Sequence, residues 1–286
     1  MAVKIVTDST AGLPLDVAKQ HDVTVIPLQV SFGQETYRDG VDLTSEQFYS
    51  KLVQADRLPT TSQPPVGEFL DAYRELTAGG DEIISIHMTG KWTGTVDTAR
   101  SAAAALPDAR IHVVDSQFTA LALEMMVRKA AQAAAAGKDS RFILERVQRM
   151  IQHTSMALTL DTLEYFQKGG RIGPVRALLG TLLSIKPVLI FADGIVVPGA
   201  TVRTKRKAIR FVADYLIEKS GGHPVYLSLA NGGVPQEMEA LRQMIAEHVE
   251  CIETNVSSVS PVIGTHAGPG AVGAGICPVD LVGWDD

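Results

Sequence analysis

The chain has 286 residues, 45% of them apolar and 20% charged, with a formal net charge of -6. That length supports one large core or two ordinary ones. An acidic balance without clustered Lys and Arg offers no electrostatic basis for binding nucleic acid or anionic membrane surfaces.

In chain order, VKIVTDS (3–9), VTVIPLQVSF (23–32), EIISIHM (82–88) and RIHVVDS (110–116) read as strands: short β-branched runs bounded by polar or turn residues. Between them, VGEFLDAYRELTAGG (66–80) places Phe69, Leu70, Tyr73 and Leu76 on one helical stripe, and TVDTARSAAAAL (95–106) is rich in the best helix former. Alternation of this kind predicts a parallel sheet with crossover helices. VDLTSEQFYSKL (41–52) interrupts the alternation and is read as a partner-facing element. The helices LALEMMVRKAAQAAAAG and SRFILERVQRMIQH follow, and the pattern changes near residue 155.

From there SMALTLD, PVLIFADGIVV, HPVYLSLA, ECIETNVSS and PVIGTHAG are read as strands, arriving closer together, with a hairpin at Asp193-Gly194. TLEYFQKGG and PVRALLGTLLSI intervene as helical segments. The expected fold is therefore α/β in two lobes: residues 1–155 with a parallel sheet, and residues 156–286 as α+β, with a ligand cleft between them. MAVKIVTDST lacks the basic and apolar segments of a secretory signal, and no run reaches the ~18 apolar residues of a membrane span, so a cytoplasmic location is expected. Cys251 and Cys277 lack CxxC spacing and are read as small buried apolar residues.

GTHAGPGAVGAG (264–275) contains a literal GxGxxG at Gly268, Gly270 and Gly273. A dinucleotide site also needs a following helix and an acidic residue roughly 20 positions on. The segment after these glycines, AVGAGICPVDLVGW, carries two more glycines and a proline and reads as a terminal strand and tail. No GxxxxGK[ST], GxSxG or HExxH occurs, and the seven histidines show no i, i+4 pair for a metal. No cofactor is expected, and a binding function is favoured over self-contained catalysis.

Four polar constellations remain. LPTTSQPP (58–65) sets Thr60, Thr61 and Ser62 between prolines, as a loop presenting hydroxyls or as a simple helix cap. HMTGKWTGTVDTA (87–99) leaves a strand and enters a helix, so Thr93 and Thr95 either meet an anion or cap the helix. FQKGGRIG (166–173) leaves Arg171 on a turn between two glycine-flanked segments, and His266 lies beside the terminal glycines. Taken singly, solvated or structural roles fit Arg171 and His266 equally well.

Together these blocks resemble the DegV family: IVTDST, IPLQVSF with YRDGVDL, LPTTSQP, TGT, VVDS, TLEYFQKGGRIG, LLSIKPVL, RTKRKA and GTHAGPG stand in order along the whole chain. Thr93 stands where that family commonly has serine, Val96 where an aromatic is common, and HMTGKW replaces a more serine-rich run. The resemblance implies a non-catalytic protein that binds one long-chain fatty acid in an interlobe tunnel. It would present the carboxylate to a separate ATP-dependent fatty acid kinase subunit for conversion to acyl phosphate for phospholipid synthesis, with transient contact to a membrane or an acyltransferase. By motif position it implies Thr61, Ser62, Thr93, Arg171 and His266 as the carboxylate site, Ser62 the weakest of them. Part of the tail wall would come from PVRALLGTLLSIKPVLI. Two alternatives stay open: a small polar metabolite or ketone held through His266, as in dihydroxyacetone kinase-like proteins, and a regulatory protein with a structural lipid.

Overall fold

The structure, a computed structural model, describes residues 2–178 and 185–284. The first half contributes β1 (Val3–Asp8), β2 (Val23–Ile26), β3 (Gln29–Phe32), β4 (Glu35–Arg38), β5 (Thr60–Ser62), β6 (Glu82–His87) and β7 (Ile111–Asp115). Four of these form a parallel sheet in the order β2-β1-β6-β7, and β4-β3-β5 make a small antiparallel sheet beside it. The second half supplies β8 (Ser155–Thr159), β9 (Lys186–Ala192), β10 (Ile195–Val202), β11 (Val225–Asn231), β12 (Cys251–Ser258) and β13 (Val272–Pro278). These form one mixed sheet, β10-β9-β8-β13-β11-β12, antiparallel except for the β11/β12 pair. The α/β class, the parallel first sheet and the α+β second half all match expectation.

Alternation along the strands explains the layers. In β1, Ile5 and Val6 point to opposite faces, as Ile84 and Ile83 do in β6. Helices Val66–Thr77 and Thr95–Ala104 cover one face with Phe69, Tyr73, Ala99 and Ala102. Helices Ala120–Ala135 and Ser140–His153 cover the other, the second capped by Asp139, which accepts from the Phe142 amide at 2.8 Å. Ala120–Ala135 also packs on β11 and β13, while helices Lys205–Ser220 and Pro235–Ala246 cover the far face of the second sheet. The result is a stack of helices, sheet, helices, sheet and helices. Among the described residues, no helix is long and apolar enough to cross a membrane.

Three local expectations are corrected. The run 23–32 is two strands in two sheets, because Pro27, which has no N–H for a ladder, separates β2 from β3. The 58–65 loop contains a strand, β5, paired with β3 through Thr61 and Val30. PVIGTHAG is the helix Pro261–Ala267: Ser260 caps it by accepting from the Ile263 amide, and Pro261 sits at its first position. That start signal overrides the β-branched pair Val262-Ile263. The hairpin at Asp193-Gly194 forms as expected, with φ of 50° and 80°.

The 41–52 segment becomes a capping-box helix, Ser45–Gln54, with Thr44 and Gln47 each satisfying the other's backbone. It turns Phe48 and Leu52 into the core and leaves Glu46 and Val53 outside. Nearby, Asp39 ties the two halves together: its carboxylate accepts from Ser9 Oγ at 2.8 Å and from Ser260 Oγ at 3.2 Å. Burial raises this carboxyl from 3.8 to about 7, against those two hydrogen bonds, and the neighbouring Asp8 adds to the rise.

Two consequences can be measured. Because the folded pKa of Asp39 lies above the unfolded one, the fold holds an extra proton between 3.8 and about 7 and loses stability as pH rises through that window. Asp39→Asn should therefore gain stability over wild type between about pH 5 and about pH 8, by on the order of a few kcal/mol in denaturant titrations. On β13, a Cβ at Gly275 would lie 2.6 Å from Leu121 Cδ1. Gly275→Val should cost roughly 1–3 kcal/mol, seen as a lowered Tm.

Candidate functional site

A cavity with mainly apolar walls lies between the two larger sheets. Its walls come from both halves: Met88 beyond β6, Met156 and Leu158 on β8, Phe191 on β9, and Val262 and Ile263 on the helix Pro261–Ala267. Trp92 closes one side, its ring 5.9 Å from Phe166 and 5.3 Å from Phe191. Phe191 in turn stacks on Phe118 at 5.7 Å. Such a wall accepts an apolar chain and offers few hydrogen bonds to a polar one.

Thr61, Ser62, Thr93, Arg171 and His266 all line this cavity, although up to 205 positions separate them in sequence. Each arrives on a different element. Strand alternation turns Thr61 inward and leaves Thr60 and Ser62 exposed, and Ser62 Oγ donates outward to Gln29 Oε1 at 3.3 Å. Thr61 Oγ1 is hydrogen-bonded to His266 Nε2 at 3.0 Å, joining β5 to the helix Pro261–Ala267. Thr93 Oγ1 is 3.0 Å from the fully buried Thr95 hydroxyl, and no side chain caps the helix that follows.

Arg171 follows the short helix Glu164–Lys168, and its Nη1 donates back to the Gly169 carbonyl at 2.8 Å. Gly169 is needed for close approach, since any side chain there would collide with His266 Nδ1. That Nδ1 is buried and has no hydrogen-bond partner among the described residues. Burial, and then the positive charge of Arg171, lower the His266 pKa from 6.5 to about 4. The cluster at neutral pH is therefore one guanidinium, a neutral imidazole and two threonine hydroxyls, with no carboxylate among the cavity's lining residues. It is suited to receive a monoanionic head group.

Sequence reasoning overlooked Trp92, Phe166 and Thr119. Trp92 and Phe166 lay inside runs already singled out for Thr93 and Arg171. Thr119 follows VVDS, and its hydroxyl is buried in the cavity wall without a partner among the described residues. Of PVRALLGTLLSIKPVLI, residues 179–184 lie outside the described residues. Val175, Val188 and Leu189 are ordinary core there.

A second polar chain has a triad-like composition: Tyr73 OH donates to Ser85 Oγ at 2.8 Å, Ser85 meets His87 Nε2 at 2.6 Å, and His87 Nδ1 meets Asp8 Oδ2 at 3.0 Å. All four side chains are sealed from solvent, so this chain holds the first sheet's core together rather than meeting a substrate.

The fold is an α/β protein of two larger sheets and one small one, with a cavity whose walls are apolar apart from one cationic cluster. The DegV family model, described as "Uncharacterised protein, DegV family", matches residues 2–279. The chain belongs to the DegV family. It is 34% identical over 279 residues to Protein DegV of Bacillus subtilis (strain 168), covering 97% of this chain and 99% of that one. A solved DegV family protein from Thermus thermophilus, described as fatty acid binding, superposes with a TM-score of 0.92 at 33% identity, covering 97% of this chain and all of that one. The solved DegV of Bacillus subtilis, described as a fatty acid binding protein, gives a TM-score of 0.88 at 34% identity, covering 97% and 99%.

The pKa of His266 gives a direct test of the cluster. Because its folded value is depressed, the fold favours the neutral ring, and the associated stability is present above 6.5 and lost as pH falls toward 4. In NMR titrations the ring should titrate near 4, and Arg171→Gln should move the midpoint upward while leaving it below 6.5, since burial is the larger cause. A wild-type midpoint at 6.5 would contradict a sealed, neutral imidazole.

Proposed function

We propose that this chain is a fatty acid carrier: one long-chain fatty acid lies between residues 1–155 and residues 156–286, its carboxylate at Thr61, Thr93, Arg171 and His266. The observation that carries this reading is the division of one cavity into an apolar wall and a single cationic cluster. Membership of the DegV family, with relatives described as fatty acid binding, supports it.

The energetics divide in the same way. Each buried methylene gains roughly 0.8 kcal/mol, so about a dozen supply on the order of 10 kcal/mol before the cost of ordering the chain. An unpaired carboxylate is costly to bury, and the Arg171 guanidinium offsets that cost with charge-assisted hydrogen bonds. The tail supplies affinity, while the cluster fixes orientation.

The carrier acts in the cytoplasm with a separate ATP-dependent kinase subunit. A carboxylate oxygen forms a bond to the terminal phosphorus of ATP while that phosphorus loses its bond to ADP, which leaves with the electron pair. The product is an acyl phosphate. This chain contributes positioning, a large fraction of what phosphoryl transfer needs. A polar ketone held by His266 suits the cavity less well, because Met88, Met156, Leu158, Phe166 and Phe191 would then face a polar ligand.

Mass spectrometry of organic extracts from purified protein should find close to one fatty acid per chain. Arg171→Ala should reduce retention roughly tenfold or more, as expected for removing the cation from a half-buried, charge-assisted contact. Retention and kinase turnover both equal to wild type would remove Arg171 from the head-group site. Active protein without fatty acid would favour the metabolite reading.

A further inference from the structure

Two open clefts adjoin the acyl cavity, and they differ in charge. One shares Gln63 with the cavity and is lined by Gln29, Pro64, Pro65, Gly94 and Asp97, among others. Its one charged lining residue is acidic. The other shares Trp92, Arg171 and Val196 with the cavity and adds Lys91, Gly170 and Gly173. Its charged lining residues are Lys91 and Arg171, with no carboxylate among them. Arg171 and Trp92 are thus the partition between an apolar chamber and a cationic, water-open one.

Lys91 is held at this place by its surroundings. Its amide donates to Thr89 Oγ1 at 3.3 Å, and the buried Thr89 hydroxyl donates to the Gly194 carbonyl at 2.8 Å. The Asp193-Gly194 hairpin therefore anchors the Lys91 backbone, and a Cβ at Gly194 would lie 3.2 Å from Lys91 Cγ. The side chain is exposed, and no ion pair occupies its ammonium among the described residues. By contrast, Lys168, on the helix just before Arg171, is already paired with Glu164 at 2.5 Å.

We propose that the cleft between Lys91 and Arg171 is a phosphoryl subsite, which receives the head group of an acyl phosphate while the tail remains in the apolar cavity. This rests on the fatty acid carrier reading. A phosphoryl group brings additional negative charge and strong hydration, and the Met and Phe wall offers neither cations nor water. Across Arg171, the second chamber offers both. The cleft bearing Asp97 has no cation among its lining residues, and the nearby Arg100 is already paired with Asp97 at 3.3 Å.

The probes are a long-chain fatty acid and its acyl phosphonate analogue, in which CH₂ replaces the hydrolysable bridging oxygen. Affinities of both are measured for wild type, Lys91→Gln and Lys168→Gln, the last a control with the same loss of net charge. Lys91→Gln should weaken the phosphonate relative to the fatty acid by about three- to tenfold, as a partly exposed charge pair allows, with the gap narrowing at high salt. Lys168→Gln should leave that ratio as in wild type. An unchanged ratio in Lys91→Gln would overturn the subsite, and so would equal losses for both ligands, since Lys91 would then act on the cavity as a whole. Failure of wild type to bind the fatty acid would instead sink the carrier reading beneath it.

Discussion

Over its first two turns, helix Ala120–Ala135 is buried on every side because a sheet faces it from each direction. Leu121, Ala122, Leu123, Met125, Met126 and Val127 are all almost fully shielded, which a helix with one wet face does not permit. The first sheet meets it through β1 and β6, and the second through β11 and β13. Small residues make the approach close enough: Gly273 and Gly275 of β13 leave space for Leu121. One apolar cluster consequently runs from Ile5 of β1 to Trp284 beyond β13. The two sheets share a core at this helix, and the cavity opens where that filling stops, at Thr119 and Ala120.

That arrangement also determines how the polar cluster is assembled. Thr61 stands on the small sheet, Thr93 on the turn after β6, Arg171 after a short helix, and His266 on the helix Pro261–Ala267. The buried Ser9–Asp39–Ser260 link fixes the start of helix Pro261–Ala267 against the first half, and the Thr61–His266 hydrogen bond fixes its end. Two polar contacts across the halves thereby hold His266 in position. Gly169 then lets the Arg171 turn approach the imidazole without a side chain between them.

The sequence showed the layers well because their signals are local and repeated: β1 and β6 are short apolar runs, and Ala120–Ala135 is rich in alanine and other strong helix formers. It showed less where a short-range rule competed with the pattern. Val262 and Ile263 suggested a strand, yet Ser260-Pro261 starts a helix, and Pro27 divides what looked like one strand. The polar cluster was legible through ordered motifs and resemblance, since no spacing rule relates positions 61, 93, 171 and 266. The aromatic partition of Trp92, Phe166 and Phe191 was not, because ring contacts between distant segments leave no periodic trace.

Charge balance gives the cluster its chemical sense. Arg171 is the only Lys or Arg among the cavity's lining residues, and burial together with that guanidinium keeps His266 neutral at physiological pH. One half-buried positive charge matches one carboxylate, so neither need remain uncompensated beside an apolar wall. A protonated His266 would leave a surplus positive charge beside Arg171, at a cost consistent with its depressed pKa. A head group with further negative charge would exceed what the single guanidinium balances, so it must draw on water or on another cation. The same cluster therefore balances a single carboxylate more completely than a head group of higher charge.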